Sequence, residues 1–191
     1  MLTLYFCPGA CSTASHIGLE EAGAQYVEKP VMLPKGEQKT EAYLKVNPRG
    51  KVPALDVDGK ILTENTAILT WVAQKYADKK LMPSDPFEMA RAISTMAWFS
   101  NIVHPSYTHY MRPERFAPDA AAQPSVKEAG KSAFWTNLQE IDSLLAMVAP
   151  TLFEYAAAFK ADTWTKKQSG LCKGWCPVKS CEFWEEKRKK F

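Results

Sequence analysis

The sequence predicts an α/β domain followed by an all-helical one. Three observations carry this reading. Short apolar runs of strand length alternate with helical stripes over the first 77 residues. The segment Leu81-Met82-Pro83-Ser84-Asp85-Pro86 then interrupts the chain with two prolines. Beyond it the apolar spacing is helical throughout.

The first strand is expected at 2–6, where Leu2, Leu4 and Phe6 fill an apolar run stopped by Cys7-Pro8-Gly9. A helix is expected over 12–22, with Ala14, Ile17, Leu19 and Ala22 inward and Gly23 as its stop. A second strand at 26–31 completes a β-α-β unit, whose strands run parallel. One or two helical turns are expected at 41–46, before the turn signal Asn47-Pro48-Arg49-Gly50. Strands at 52–57 and 60–62 flank Asp58-Gly59, a dipeptide suited to a two-residue hairpin. A helix over 64–77 carries Ile68, Leu69, Val72 and Tyr76 on one stripe. The second half holds two long helical patterns. One runs from Phe87 to about Arg112 with a bend at Pro105. The other spans 125–146 with Ala129, Phe134 or Trp135, Leu138, Ile141 and Leu145 at helical spacing.

Composition narrows the function classes. The chain has 191 residues, 46% hydrophobic and 24% charged, enough for two small domains with real cores. Twenty-four Lys and Arg against 21 Asp and Glu are too balanced to point to nucleic acid. No run approaches the roughly 18 apolar residues of a membrane span. Residues 1–6 lack the basic start of a signal peptide. The expected location is the cytoplasm, where thiols stay reduced, with no membrane or nucleic-acid partner. Charge is uneven: residues 1–150 carry net −1, and residues 151–191 carry net +4 with three of the five cysteines. Cys172, Cys176 and Cys181 have no nearby His, so no metal site is expected there.

Four constellations carry chemistry. Cys11 sits at the turn between a strand and a helix N-terminus. The unpaired N–H groups there favour negative charge, which predicts partial thiolate character; a small buried cysteine is the alternative. Val52-Pro53 opens a strand after a turn, a place for a cis bond that leaves Val52 N–H and C=O to pair with an extended peptide, or a plain edge-strand proline. In Thr63-Glu64-Asn65-Thr66, Asn65 or Thr66 suits a helix cap. The helix start attracts a carboxylate and Glu64 an ammonium, so the set fits the zwitterionic end of an amino acid or an ordinary capped helix. His104 lies on the long helix, either as a proton donor to a thiol or as an ordinary helical His.

These signals, in this order, resemble the cytosolic glutathione transferases, most closely the bacterial beta class. The matching stretches are Leu4-Tyr5-Phe6-Cys7-Pro8-Gly9-Ala10-Cys11-Ser12, Ser15-His16-Ile17, Val46-Asn47-Pro48-Arg49-Gly50-Lys51-Val52-Pro53-Ala54-Leu55 and Leu62-Thr63-Glu64-Asn65-Thr66-Ala67-Ile68. The resemblance implies a thioredoxin-like α/β domain over 1–80, a helical domain over 87–165 and a homodimer. It implies glutathione as co-substrate, bound by Tyr5, Lys35, Val52, Pro53, Glu64 and Asn65. Cys11 and His104 would face its sulfur as the catalytic pair. A small electrophile would be lined by Tyr107, Tyr110, Met111 and Phe116. Detoxification by conjugation is the expected activity; thiol–disulfide or peroxide chemistry through Cys11, or binding without catalysis, are the alternatives.

The chain also departs from the family pattern. Pro105 follows the helical His where Lys is common, and Asn65 stands where Ser or Gly is common. The family's Gly-x-x-x-Ser/Thr-x-Ala-Asp helix start is not matched: Tyr155 and Phe159 precede Ala161-Asp162. The helical domain is therefore expected to be truncated or divergent. A short helix at 150–159 is expected to replace the missing one, and residues 166–191 to form a basic, Cys-containing tail, divergent or read in a shifted frame.

Overall fold

The computed structural model describes residues 1–160, and of 145–160 only the helical backbone. The elements follow in the order β1 (Leu2–Phe6), α1 (Thr13–Glu21), β2 (Tyr26–Pro30), α2 (Glu41–Leu44), β3 (Ala54–Val57), β4 (Lys60–Thr63), α3 (Asn65–Lys75), α4 (Pro86–Trp98), α5 (His104–Met111) and α6 (Gln123–Lys160). The expectations for 161–191, the tail included, lie outside the described residues.

The four strands form one sheet in the order β2-β1-β3-β4. β1 and β2 run parallel, with Leu4 opposite Glu28; β3 runs antiparallel to β1, with Leu4 opposite Leu55. β3 and β4 form the expected hairpin, and both turn residues take positive φ, 51° at Asp58 and 86° at Gly59. That pair of angles matches the right-handed strand twist and explains the Asp-Gly dipeptide.

Strand alternation sorts the core into two layers. On one face Leu2, Leu4 and Phe6 meet Leu19, Ala22, Leu55, Ile68 and Val72, under α1 and α3. Leu4, Leu19, Leu55, Ile68 and Val72 are wholly excluded from water. Each such side chain contributes about 1.5–3 kcal/mol of transfer free energy. On the other face Cys7, Val31, Tyr43 and Val52 form a smaller cluster, with Tyr5 against it.

The buried stripe of α1 differs from the expected one. Ser15, His16 and Leu19 face inward, while Ala14 and Ile17 are exposed. The inward Ser15 donates its Oγ–H to Asn65 Oδ1 at 2.6 Å. A Cβ at Gly18 would lie 2.5 Å from Leu69 Cδ2, the tip of a side chain on α3.

The chain divides into two compact units, one covering Met1–Ala97 and the other beginning at Trp98. The expected boundary at 81–86 thus falls before α4, and the observed one after it. Among the described residues α4 buries none. The expected bend near Pro105 is a π-helical stretch, Phe99–Val103, ahead of α5. Proline's missing N–H and its ring disfavour an unbroken helix there.

Within the second unit, α5 and α6 pack through Gly130. A Cβ at Gly130 would meet Tyr110 N at 2.6 Å and His109 Cβ at 2.7 Å. The expected stripe Ala129, Trp135 and Leu138 is exposed; the inward residues are Gly130 and Asn137, with Phe134 and Ile141 half-buried. Asn137 takes a core position because its Nδ2 donates to Ser106 Oγ at 2.9 Å. The α6 backbone continues through 150–159, so the short separate helix expected there is the end of a longer one.

Candidate functional site

The first unit gathers Cys11, Val52, Glu64 and Asn65 through a set of loop hydrogen bonds. Ser12, fully buried, closes the turn after β1: its Oγ accepts from Cys7 N–H at 3.0 Å and donates to Cys7 O at 3.1 Å. That clasp leaves Cys11 on a rim, exposed as a residue but with its thiol partly covered. The Cys11 thiol points at the Val52 carbonyl, with Sγ to O 3.5 Å.

The segment leading to Val52 is fixed from below. Tyr43 Oη and Asn47 Nδ2 both donate to Lys51 O, each at 2.7 Å. Asn47 Oδ1 also accepts from Arg49 N–H at 3.1 Å. Burial pushes the Tyr43 phenol up to about 12, so it stays a donor at neutral pH. The Val52–Pro53 bond is cis, as the sequence allows. Among the described residues Val52 N–H makes no backbone hydrogen bond.

Glu64 precedes α3 with φ 70° and ψ 128°, a conformation rare for any residue but glycine. Its carboxylate lies 3.6 Å from Arg49 Nη1, and both side chains are two-thirds exposed. The Glu64 side chain makes no cap hydrogen bond to α3. The start of a helix carries partial positive charge that attracts an anion. Asn65, expected as a cap, is instead a bridge. Its Nδ2 donates to Cys11 O at 2.9 Å, and its Oδ1 accepts from Ser15 Oγ at 2.6 Å.

The electrostatics of Cys11 reverse the expected thiolate. Burial of the sulfur raises its pKa most; the backbone N–H groups of Cys11 and Ser12 pull it down; Glu64 raises it and Lys51 lowers it. The net shift is upward, which disfavours the thiolate. The helix-terminus effect is present but outweighed by desolvation.

Other expected residues stand elsewhere. Tyr5 packs on Tyr43, ring centroids 5.9 Å apart, with Lys29 Nζ 5.3 Å above its ring. Lys35 ends an exposed 3-10 turn, Leu33–Lys35, and forms no ion pair among the described residues. In the second unit His104 opens α5 and is exposed. Tyr107 meets Phe134 with centroids 5.3 Å apart, Lys127 lies 5.8 Å from the Tyr110 ring, and Phe116 stacks on His109 at 3.6 Å. Met111 is half-exposed. Sequence reasoning missed Ser12, Ser15 and Lys51 as parts of the site. A hydroxyl at a helix start and another three residues on is the only signal that pointed to the first two.

Comparison with known proteins identifies the family. A family model described as "Glutathione S-transferase, N-terminal domain" matches residues 1–74. The glutathione S-transferase GstA of Escherichia coli O157:H7 is 34% identical over 145 residues, 70% of this chain and 72% of that protein. The chain belongs to the glutathione S-transferase family. The expected fold, a thioredoxin-like domain with a helical one after it, is the fold of this family. A maleylacetoacetate isomerase of Pseudomonas aeruginosa is 38% identical over 100 residues, 49% of this transferase-family chain but only 47% of its relative. Among solved structures, a glutathione transferase homologue from Sulfitobacter with bound glutathione gives a TM-score of 0.72 at 27% identity, covering 100% of this chain and 98% of that one. A sphingomonad glutathione S-transferase complexed with glutathione gives 0.64 at 36% identity, over 75% and 70% of the two chains.

Proposed function

We propose that this glutathione S-transferase family member binds glutathione and promotes attack of its thiolate on a small hydrophobic electrophile. The observation that carries the reading is the Cys11 thiol at 3.5 Å from the Val52 carbonyl, with the Asn65 amide at the start of α3 bonded to the Cys11 carbonyl. An extended tripeptide pairs with the backbone of residue 52 in strand fashion. Its γ-glutamyl ammonium meets Glu64, its carboxylate meets the α3 N-terminus, and its sulfur reaches Cys11. The bound glutathione seen in two related structures supports this.

In the reaction, glutathione gives its thiol proton to water and the thiolate sulfur bonds to the electrophilic carbon. In substitution the carbon–leaving-group bond breaks and its pair departs with the leaving group. In addition the π pair moves to the activated end of the double bond, which takes a proton from water. Cys11, held as a neutral thiol, donates a hydrogen bond to that thiolate. This favours conjugation over disulfide exchange, which needs Cys11 itself as a thiolate. His104 is assigned a second stabilising contact on the strength of the family resemblance. Tyr107, Tyr110, Met111 and Phe116 are assigned to the electrophile, and Lys35, Tyr5 and Pro53 to glutathione. A beta-class, cytoplasmic homodimer serving detoxification completes the reading.

Retention on immobilised glutathione, followed by a turnover assay with an aromatic electrophile, tests it. Retention with turnover is expected. Retention without turnover makes the chain a glutathione-binding protein, and no retention overturns the reading.

A further inference from the structure

We propose that His16, Glu20 and Glu28 form a binding site for a first-row divalent metal ion of the zinc class. The three lie within the first unit, on the side of α1 that meets the edge strand β2. Each offers one ligand atom, and these atoms all lie within 4.8 Å of one another.

The helix sets up the first pair. His16 and Glu20 are four residues apart on α1, so their side chains rise from the same face one turn apart. The sheet supplies the third residue. Glu28 pairs with Leu4 in the β1–β2 register, which puts it on the sheet face that α1 covers. Its carboxylate is 46% exposed, so it is free to swing toward an ion and leaves water access to it.

His16 is the buried member of the cluster. It is only 6% exposed, and its Nε2 is buried without a hydrogen-bond partner among the described residues. Buried polar nitrogens are ordinarily satisfied. The ring is held between Phe6, centroids 4.7 Å apart, and Tyr26, centroids 5.9 Å apart in an edge contact. Nε2 lies 3.4 Å from Glu28 Oε1, in ion-pair range but without hydrogen-bond geometry. That gap equals the edge of a tetrahedron whose metal–ligand bonds are about 2.0–2.1 Å. Glu20 has the outer support common around metal ligands: Tyr26 Oη donates to its Oε1 at 2.6 Å.

One imidazole and two carboxylates suit zinc, cobalt or manganese better than magnesium or calcium, which prefer all-oxygen sets. Water fills what remains of the coordination shell. Bound there, the ion would clasp β2 to α1.

The test uses the full chain with its solvent-reactive cysteines alkylated. Co2+ is titrated in and followed by its visible d–d absorption, then displaced by Zn2+. One Co2+ per chain is expected, without the sulfur-to-cobalt charge-transfer band that thiolate ligands produce. Glu28→Gln should weaken binding roughly tenfold to a hundredfold, and His16→Gln should abolish it. Glu21→Gln, a change at an exposed neighbour on α1, should leave it intact. If His16→Gln fails to fold, the half-exposed Glu28 variant carries the test alone. Equal Co2+ affinity in the wild type and Glu28→Gln would overturn the proposal. So would a wild type that binds no stoichiometric ion.

Discussion

Asn65 Nδ2 donates to the backbone carbonyl of Cys11 at 2.9 Å, tying the start of α3 to the turn that carries the thiol. The same amide accepts from the buried Ser15 Oγ at 2.6 Å. One side chain thus sets the spacing between the two ends at which the proposed ligand is held, its ammonium at Glu64 and its sulfur at Cys11.

Replacing that amide should cost stability and position together. Asn65→Ala leaves Ser15 Oγ without its partner, a loss of about 1–3 kcal/mol. Denaturant unfolding should report that loss, and glutathione affinity should fall with it. A variant as stable as the wild type would show that the bridge does not hold the two helices together.

Cys11 should be a slow nucleophile in the free protein. Its thiol pKa is raised, chiefly by burial, so the reactive thiolate is scarcer at pH 7 than for a free thiol. Alkylation measured against pH should follow a curve displaced to higher pH than that of a small model thiol, and glutathione should protect. A rate that is already maximal at neutral pH would restore the thiolate reading.

The contrast with Cys11 shows which parts of the site were legible in the sequence. The strand-helix-strand order, the Asp58-Gly59 hairpin and the Val52-Pro53 turn were readable because each rests on local backbone chemistry. The pKa of Cys11 was not, because it depends on which groups crowd the sulfur, and Val52 and Glu64 reach it from far along the chain. The face of α1 was misread for a related reason. Ala14 and Ile17 look like core by hydrophobicity, but the helix turns Ser15 and His16 inward. Asn137 is the same case on α6: a polar residue takes a core position that Leu138 appeared to own, because Ser106 waits on the facing helix.

His104 should matter to rate more than to binding. If it stabilises the reacting sulfur, His104→Ala should lower kcat about a hundredfold while the glutathione Kd moves little. Steady-state kinetics beside equilibrium binding separates the two. Unchanged kcat with a lowered Tm would make it an ordinary helical residue.

Gly130 should resist enlargement. The added Cβ of Gly130→Ala would fall 2.6 Å from Tyr110 N and 2.8 Å from His109 C, which are backbone atoms that cannot swing aside. Overpacking of this kind costs about 1–3 kcal/mol. Thermal unfolding should show the loss, and an unshifted transition would mean that α5 and α6 part without penalty.

The most direct test of the central claim is the equilibrium affinity for glutathione of the wild type and of Glu64→Ala, measured by titration calorimetry. Removing the carboxylate takes away the ammonium partner, a charge-assisted bond worth about 1.5–3 kcal/mol. The account predicts a Kd raised roughly tenfold to a hundredfold, with the fold and stability of the variant retained. An unchanged Kd, in a variant that is folded, would contradict it: glutathione would then bind away from α3, or not in the manner described.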